Sequence, residues 1–251
     1  FLVTGGSAGL GLAGARALTA EGARVVIAAR DPEQVEQAVA ELEPGSAIGL
    51  QADLAEPSVA ARLTEAAQAH FGRIDGSLVS VGGPPPGTAL GVDDRSWTDA
   101  FQSVFLGPLR VARAIAGALP ANAASPVGTT GSVLLVLSTS AFSPIPDLAI
   151  SNGLRPGLAM LTKQLADELG PRGIRVNAIA PGRFATERVR SLDASRGDPH
   201  LVRQQFESAI PLGRYGEPDE FGALAAFILS PRASYLTGTV VTLDGGASRQ
   251  P

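Results

Sequence analysis

The chain contains very few of the residues that most often carry catalytic or metal-binding chemistry. Cysteine is absent from its 251 residues, which excludes disulfides, thiolate metal sites and cysteine nucleophiles. His70 and His200 are the only histidines, so we expect neither a zinc site nor a Ser-His-Asp triad, and no metal site is predicted. The only tyrosines, Tyr215 and Tyr235, are interpreted as packing residues.

Strong charge of one sign and long apolar runs are also missing. A net charge of -4 with a pI near 5.3 provides no basic surface for nucleic acid. No apolar run approaches the roughly 18 residues of a membrane span, and the opening FLVTGG lacks the features of a signal peptide. We therefore expect a cytoplasmic protein that acts on a small-molecule substrate, with no nucleic acid and no membrane partner.

The hydrophobic pattern predicts one α/β domain over residues 1–251. Short β-branched runs alternate with alanine-rich stretches of helical period, which is typical of repeated βαβ units. Strands are predicted near 1–4, 24–29, 46–51, 75–80, 131–137, 174–179 and 238–243. Helices are predicted near 9–20, 32–43, 57–70, 95–119, 150–169 and 217–229. The polar, weakly periodic segment at about 183–212 is predicted to be a long loop that acts as a substrate lid.

The string FLVTGGSAGLG joins the first predicted strand to the first predicted helix. It places Gly5, Gly9 and Gly11 where glycine allows a tight turn and close approach of a pyrophosphate to the helix N-terminus. Because the pattern follows a strand, opens a helix and begins a βαβ unit, it indicates dinucleotide binding. The alternative is a tight turn without a ligand.

The same string resembles the TGxxxGxG motif of the short-chain dehydrogenase/reductase family, and the similarity covers essentially the whole chain. The resemblance implies a Rossmann-type doubly wound parallel sheet of about seven strands, in the order 3-2-1-4-5-6-7, with helices on both faces. It also implies that the cofactor is held in this string by Thr4, Gly5, Ser7, Gly9, Leu10 and Gly11.

Further cofactor contacts follow from the resemblance at other strand ends. Asp53 in ADL resembles the family's adenine-contacting aspartate, and NAIAPG at 177–182 resembles the segment that holds the nicotinamide carboxamide. The LTGTVVTLDGG stretch resembles the family's closing strand. Each match also has a simpler interpretation, such as a helix cap or a plain turn. The additional residues implied to bind cofactor are Asp53, Leu54, Ser80, Gly82, Pro181, Gly182 and Thr186.

The end of the second predicted strand, VVIAAR, bears on the choice between NAD and NADP. An acid there would bind the adenosine ribose and repel a 2′-phosphate, whereas a base accommodates the phosphate. Ala29 stands at the family's acidic position, and Arg30 follows it. We therefore expect NADP(H) to be favoured over NAD(H), the alternative being that Arg30 is a solvated arginine beside Asp31.

The catalytic positions depart from the family pattern of Ser, Tyr, Lys and an assisting Asn. The resemblance identifies Ser138 as the family serine, but Ser151 stands for the tyrosine and Arg155 for the lysine, and Arg155 is also expected to hold the nicotinamide ribose. Val104 stands for the asparagine. A serine hydroxyl is a weaker and shorter proton donor than a phenol, and an arginine with a pKa above 12 does not relay protons.

The residues that depart from the family pattern occur together with other segments that resemble one branch of the family. GGPPPG, PIPDLAISN and TERV resemble an atypical branch often labelled 3-oxoacyl-acyl-carrier-protein reductase-like. Lys163 is the only lysine against 19 arginines, which accounts for the exchange of lysine for arginine at 155 but not for the loss of tyrosine. Two hypotheses remain: an NADP(H)-dependent oxidoreductase of a carbonyl or alcohol substrate with a degenerate catalytic tetrad, or a non-catalytic NADP(H)-binding homologue that acts as a sensor or partner subunit.

The resemblance also implies a homodimer or homotetramer formed by the helix at 150–169. Its sequence GLAMLTKQLADEL carries Leu158, Met160, Leu161 and Leu165, more apolar residues than one sheet-facing stripe requires. The alternative is that all four serve the internal core.

Overall fold

The computed structural model describes residues 1–119 and 130–249, and in it seven parallel strands form one sheet. The strand order is β3-β2-β1-β4-β5-β6-β7, which is the predicted Rossmann-type order. The strands are β1 (Leu2–Thr4), β2 (Val25–Ala29), β3 (Ala47–Gln51), β4 (Gly76–Val79), β5 (Gly131–Val136), β6 (Ile174–Pro181) and β7 (Val240–Leu243). β1, β4, β5 and β6 are buried along their whole length, as expected for a parallel sheet covered on both faces.

Helices cover both faces of the sheet and bury two separate apolar layers. One layer lies between the sheet and helices α3, α5 and α6, and the other between the sheet and helices α1, α2 and α9. The helices are α1 (Gly9–Ala20), α2 (Pro32–Ala40), α3 (Val59–Phe71), α4 (Asp94–Ala100), α5 (Gly107–Ala118), α6 (Ala149–Leu169), α7 (Glu187–Ala194), α8 (Pro199–Ala209) and α9 (Pro218–Leu229).

The predicted helix at 95–119 is divided in the structure. A π-helical turn, Phe101–Leu106, separates α4 from α5. Its extra residue per turn shifts the helical register, and Pro108 then begins the next α-helical segment. Turns of this kind recur at functional sites, and this one carries Val104 to the wall of the cleft described below.

The prediction of a loop at about 183–212 is wrong, because this segment contains α7 and α8. The Thr186 side chain accepts a hydrogen bond from Val189 N at 3.4 Å and caps α7. Asp198 accepts from His200 N at 2.8 Å and caps α8, and Pro199 follows it at the first helical position. The cap residues were visible in the sequence. The two helices were not predicted because they are short, bury little surface and therefore have only weak apolar periodicity.

The two tyrosines differ in environment. Tyr215 is buried, whereas the Tyr235 side chain is fully exposed, so the interpretation of Tyr235 as a packing residue is wrong within this chain. On α6, Leu158 and Leu165 belong to the core, while Met160 is 69% exposed. No helix in the described ranges is both long and apolar enough to cross a bilayer.

Candidate functional site

One large cleft opens at the carboxyl ends of the strands, where β1, β4, β5 and β6 end. It has a volume of about 1110 Å³. This edge of a doubly wound sheet is where such folds bind their ligands. The predicted site residues that line it are Thr4, Gly5, Ser7, Gly9, Leu10, Arg30, Asp53, Leu54, Ser80, Gly82, Ser138, Ser151, Arg155, Pro181, Gly182 and Thr186.

Gly11 is the one predicted site residue that does not line the cleft. A Cβ on Gly11 would lie 2.1 Å from the Gly5 carbonyl oxygen, so glycine is required here for close packing of the turn against α1. Gly5 itself has a φ of +56°, and a Cβ there would lie 2.8 Å from the Ser80 carbonyl oxygen. Thr4 Oγ1 donates to that same carbonyl at 2.8 Å. The first turn is thereby fixed against the end of β4.

The N-terminus of α1 opens into the cleft without a competing side chain. Its N-cap residue, Ala8, makes no side-chain capping bond, and the first turn contains no acidic residue. The free N–H groups and the helix dipole therefore favour an anion at this point. Gly9 has a φ of +53°, and a Cβ there would face Thr186 at 3.6 Å, so the start of the segment after β6 lies beside this N-terminus.

At the β2 side of the cleft, Arg30 is exposed and has no ion pair among the described residues. Asp31, the neighbour that could have neutralised it, instead caps α2 by accepting from Glu33 N at 3.0 Å. Asp53 Oδ1 accepts from Ala55 N at 2.9 Å, as in the simpler turn interpretation, and Asp53 also lines the cleft. The Arg30 guanidinium is therefore available for a ligand phosphate.

Ser151 is paired with a residue that the sequence did not identify. Ser151 Oγ lies 2.9 Å from Ser140 Oγ, and both side chains are buried. Ser138 Oγ accepts from Ser140 N at 3.1 Å and caps the short 3-10 turn Thr139–Ala141. The three hydroxyls of LSTSAF at 138, 139 and 140 were visible in the sequence, but only the turn geometry selects Ser140 as the partner of Ser151.

Arg155 is a buried cation in the cleft wall and has no carboxylate partner among the described residues. Arg155 is only 4% exposed. Its Nη1 donates to the Val136 carbonyl at 2.7 Å, and its buried Nε has no hydrogen-bond partner among the described residues. Burial lowers the pKa of Arg155 to about 10. Arg155 nevertheless remains charged at neutral pH.

The segment that follows β6 is held by side-chain bonds both within itself and to other parts of the fold. Arg183 pairs with the buried Asp193 of α7, and Tyr215 Oη donates to Asp193 Oδ2 at 2.9 Å. Further along, Arg188 Nη2 donates to the Pro84 carbonyl at 2.8 Å and so reaches the loop after β4. The sequence analysis did not single out Arg188, since only the fold brings it to this loop.

The residues present fit a dinucleotide cofactor. The glycine turn leaves room for close backbone approach, the α1 N-terminus attracts a pyrophosphate, and Arg30 is free to bind a further phosphate. In contrast, no group of three or more His, Cys, Asp or Glu side chains is arranged to hold a metal ion within the part of the chain that the structure describes.

Comparison with known proteins agrees with this geometry. Residues 5–248 match the family model described as enoyl-(acyl carrier protein) reductase. The human dehydrogenase/reductase SDR family member 4 is 33% identical over 249 residues, covering 98% of this chain and 86% of that protein. Galactitol 2-dehydrogenase (L-tagatose-forming) from Cereibacter sphaeroides is 34% identical, covering 97% of this chain and 92% of that protein.

Solved structures with a similar fold include an oxidoreductase with a bound cofactor. The NADPH-bound structure of a short chain oxidoreductase from Pseudomonas aeruginosa PAO1, described as containing an atypical catalytic center, superimposes with a TM-score of 0.89. It is 28% identical, and the match covers 100% of this chain and 96% of that one.

Proposed function

Because the chain belongs to the short-chain dehydrogenase/reductase family, we propose that it is an NADP(H)-dependent oxidoreductase that transfers hydride between nicotinamide and a carbonyl or alcohol substrate. The observation that carries the proposal is the buried, unpaired Arg155 beside the Ser151–Ser140 pair, in the same cleft as the open N-terminus of α1. A buried charge without an ion-pair partner destabilises the fold, and proteins tolerate such destabilising residues mainly at functional sites.

In this proposal the chain holds the cofactor along the whole cleft. Backbone N–H groups of the turn and of the α1 N-terminus bind the pyrophosphate, and Arg30 binds the 2′-phosphate. Asp53 keeps one carboxylate oxygen for the adenine end, because the other is bound to Ala55 N. Pro181, Gly182 and Thr186 border the nicotinamide end. When bound, NADPH supplies the hydride.

The reacting carbonyl oxygen is polarised by hydroxyl groups and by a fixed positive charge. Ser138 and Ser151 both line the cleft, and Ser151 can donate to this oxygen while it accepts from Ser140 Oγ at 2.9 Å. Arg155 stabilises the negative charge that develops on the oxygen and holds the nicotinamide ribose. Because serine is a weak acid, the proton on the product comes from a water in the cleft through the Ser151 hydroxyl, and the hydroxide that this leaves passes to solvent.

Two features support an active enzyme over a binding protein. The lid segment is retained and anchored to the cleft, and the Pseudomonas aeruginosa neighbour combines an atypical catalytic center with the description of an oxidoreductase. We also propose that Ser151 and Arg155 act as an atypical Ser-xxx-Arg catalytic pattern and that the segment at about 183–212 acts as a substrate lid. The protein is proposed to be a homodimer or homotetramer.

The test is the fall in NADPH absorbance with a panel of ketones, aldehydes and activated alkenes. The proposal expects turnover with at least one class and a lower rate with NADH at equal concentration. NADPH binding without turnover on any member of the panel would instead favour the non-catalytic sensor or partner subunit. A protein that neither binds NADPH nor turns over any member of the panel would contradict both hypotheses.

A further inference from the structure

The three arginines that line the cleft, Arg30, Arg155 and Arg188, have no carboxylate within 4.0 Å among the described residues. Ten of the other sixteen arginines lie within 4.0 Å of a carboxylate, on side chains that are mostly exposed. All three arginines of the cleft thus present a charge without an acidic partner to the space that a ligand would occupy.

None of the described acidic side chains that line the cleft forms an ion pair with these three arginines. Asp31 caps α2, and Asp53 accepts from Ala55 N at 2.9 Å. Asp99 lies 3.7 Å from Arg95, and Glu187 pairs with Arg190 at 2.7 Å. An anionic ligand entering the cleft thus meets free positive charge without displacing an internal ion pair.

The proposed function uses Arg30 for the cofactor's 2′-phosphate and Arg155 for the ribose and the reacting oxygen, which leaves Arg188 unassigned. Arg188 lies two residues beyond Thr186, but its side chain points to a different wall. Thr186 faces Gly9 at the start of α1, whereas Arg188 Nη2 reaches the Pro84 carbonyl. A Cβ on Gly83 would meet the Arg188 guanidinium at 3.0 Å, so the guanidinium lies flat against this loop.

The surroundings of Arg188 suit a ligand anion better than a purely structural tie. Its Nη2 donates to Pro84 O, which leaves the other guanidinium donors for a ligand, and the residue is solvent-accessible. Partial burial lowers its pKa from the ordinary value, and it remains a cation at neutral pH. Apolar Leu148, Val189 and Leu192 line the same cleft and would cover the carbon skeleton of a small substrate.

We propose that Arg188 is the specificity-determining residue of an anion subsite, and that the substrate of this enzyme is a carbonyl compound bearing a carboxylate, which binds the Arg188 guanidinium through both oxygens. The inference rests on the proposed function, because that function identifies this end of the cleft as the substrate end. The planar fork of arginine matches a carboxylate in geometry as well as charge.

The test measures equilibrium binding by calorimetry, to the NADP⁺ complex, which has no hydride to transfer to the ketone probes, and to the cofactor-free protein. The probes are 4-oxopentanoate and 5-oxohexanoate, each paired with its neutral amide. We expect each acid to bind wild-type protein about tenfold or more tightly than its amide, the size of a hydrogen bond to a charged group. Arg188→Gln should bring the ratio close to one, and Arg188→Lys should retain part of it.

Arg232→Gln is the matched control, since Arg232 is an exposed arginine that pairs with Glu21 and neither residue lines the cleft. It should leave the ratio unchanged. The inference is overturned if wild-type protein shows no preference for either acid, or if Arg232→Gln lowers the ratio as much as Arg188→Gln. It is also overturned if Arg188→Gln weakens NADPH binding and leaves the ratio intact, because Arg188 would then bind cofactor phosphate. Acid-selective binding without hydride transfer would contradict the proposed function alone.

Discussion

Arg155 is the residue at which stability and function are expected to conflict. Burial without a carboxylate partner holds its pKa near 10, below the ordinary 12.5. The charged form is therefore destabilised in the folded state at every pH below about 10, and this cost is relieved only as the pH rises from about 10 toward 12.5. We expect Arg155→Met to raise the free energy of unfolding of the cofactor-free protein by about 1 to 3 kcal/mol.

Chemical denaturation at pH 7 and pH 9 checks this prediction, and the gain should be the same at both values. The variant should also bind NADPH more weakly and turn over more slowly, because the ribose and oxygen contacts are lost together. A variant that is less stable than wild type would show that Arg155 contributes more through its bond to Val136 than burial of its charge costs.

The Ser140–Ser151 pair predicts a separation between binding and turnover. Ser151→Ala should lower kcat by about 10² or more, within the range of general acid catalysis, with little change in NADPH affinity. Ser140→Ala should lower kcat by a smaller factor, since Ser151 keeps its own hydroxyl but loses the partner at 2.9 Å. Equal kcat values for Ser151→Ala and wild type would remove Ser151 from the mechanism.

Restoring the family residues is not expected to restore family rates. In Ser151→Tyr with Arg155→Lys, the phenol must displace the contact with Ser140, and the buried Val104 offers no hydrogen-bonding group in place of the family asparagine. We predict a gain in kcat of less than about tenfold on a simple ketone, short of the two to four decades that a well-placed acid supplies. Recovery of those decades would identify the site as a decayed form of the family's site.

Arg30 carries the prediction on cofactor choice. Wild-type protein should bind NADPH more tightly than NADH, and Arg30→Ala should remove most of that difference because it removes the free guanidinium at the end of β2. Fluorescence titration with both cofactors measures the ratio. Equal affinities in the wild-type protein would contradict this assignment.

At the scale of elements, the segment proposed as a lid, at about 183–212, depends on a buried polar contact. Asp193 is 3% exposed and is bound by Arg183 and by the Tyr215 hydroxyl, whose pKa is raised to about 12, mainly by burial and also by its bond to Asp193. Tyr215→Phe leaves this carboxylate with fewer hydrogen bonds, so we expect a loss of about 1 to 3 kcal/mol of stability. Proteolysis within 183–212 should become faster, whereas the exposed Ser208→Ala should leave its rate unchanged.

Most elements were predictable because the sheet imposes a strong pattern. All seven strands lie where buried β-branched runs predicted them, and α1 and α6 lie within a residue of their predicted bounds. The lid helices α7 and α8 were not predicted, because they bury little apolar surface and their periodicity is weak. The turn Phe101–Leu106 was not predictable either, since a π-helical register depends on tertiary packing around Val104.

The site shows the same division between local and tertiary information. Sixteen of the seventeen site residues predicted from the sequence line the cleft, because loops at the carboxyl end of a parallel sheet converge. Ser140, Arg188 and the lowered pKa of Arg155 were missed, because each depends on contacts between segments distant in the chain or on burial. Gly11 was expected at the cofactor and lies beneath the turn instead.

For the whole molecule, a homodimer or homotetramer remains the prediction. Between α5 and α6 the surface forms a groove lined mainly by apolar residues, including Leu109 and Leu161, and Met160 nearby is 69% exposed. We expect light scattering at micromolar concentration to give the mass of a dimer or tetramer, and Leu161→Asp to shift it toward smaller species. A monomer in the wild-type protein would refute this prediction.

The central claim is that a cleft with Ser151 and Arg155 at its catalytic positions still directs hydride transfer. The most direct measurement is deuterium transfer from NADPH labelled at nicotinamide C4 to the substrate carbon, followed by mass spectrometry of the product alcohol. We predict deuterium in the product with wild-type protein and a rate lower by about 10² or more with Ser151→Ala. NADPH that binds by fluorescence titration, yet leaves every tested carbonyl unlabelled above the level without protein, would contradict the claim.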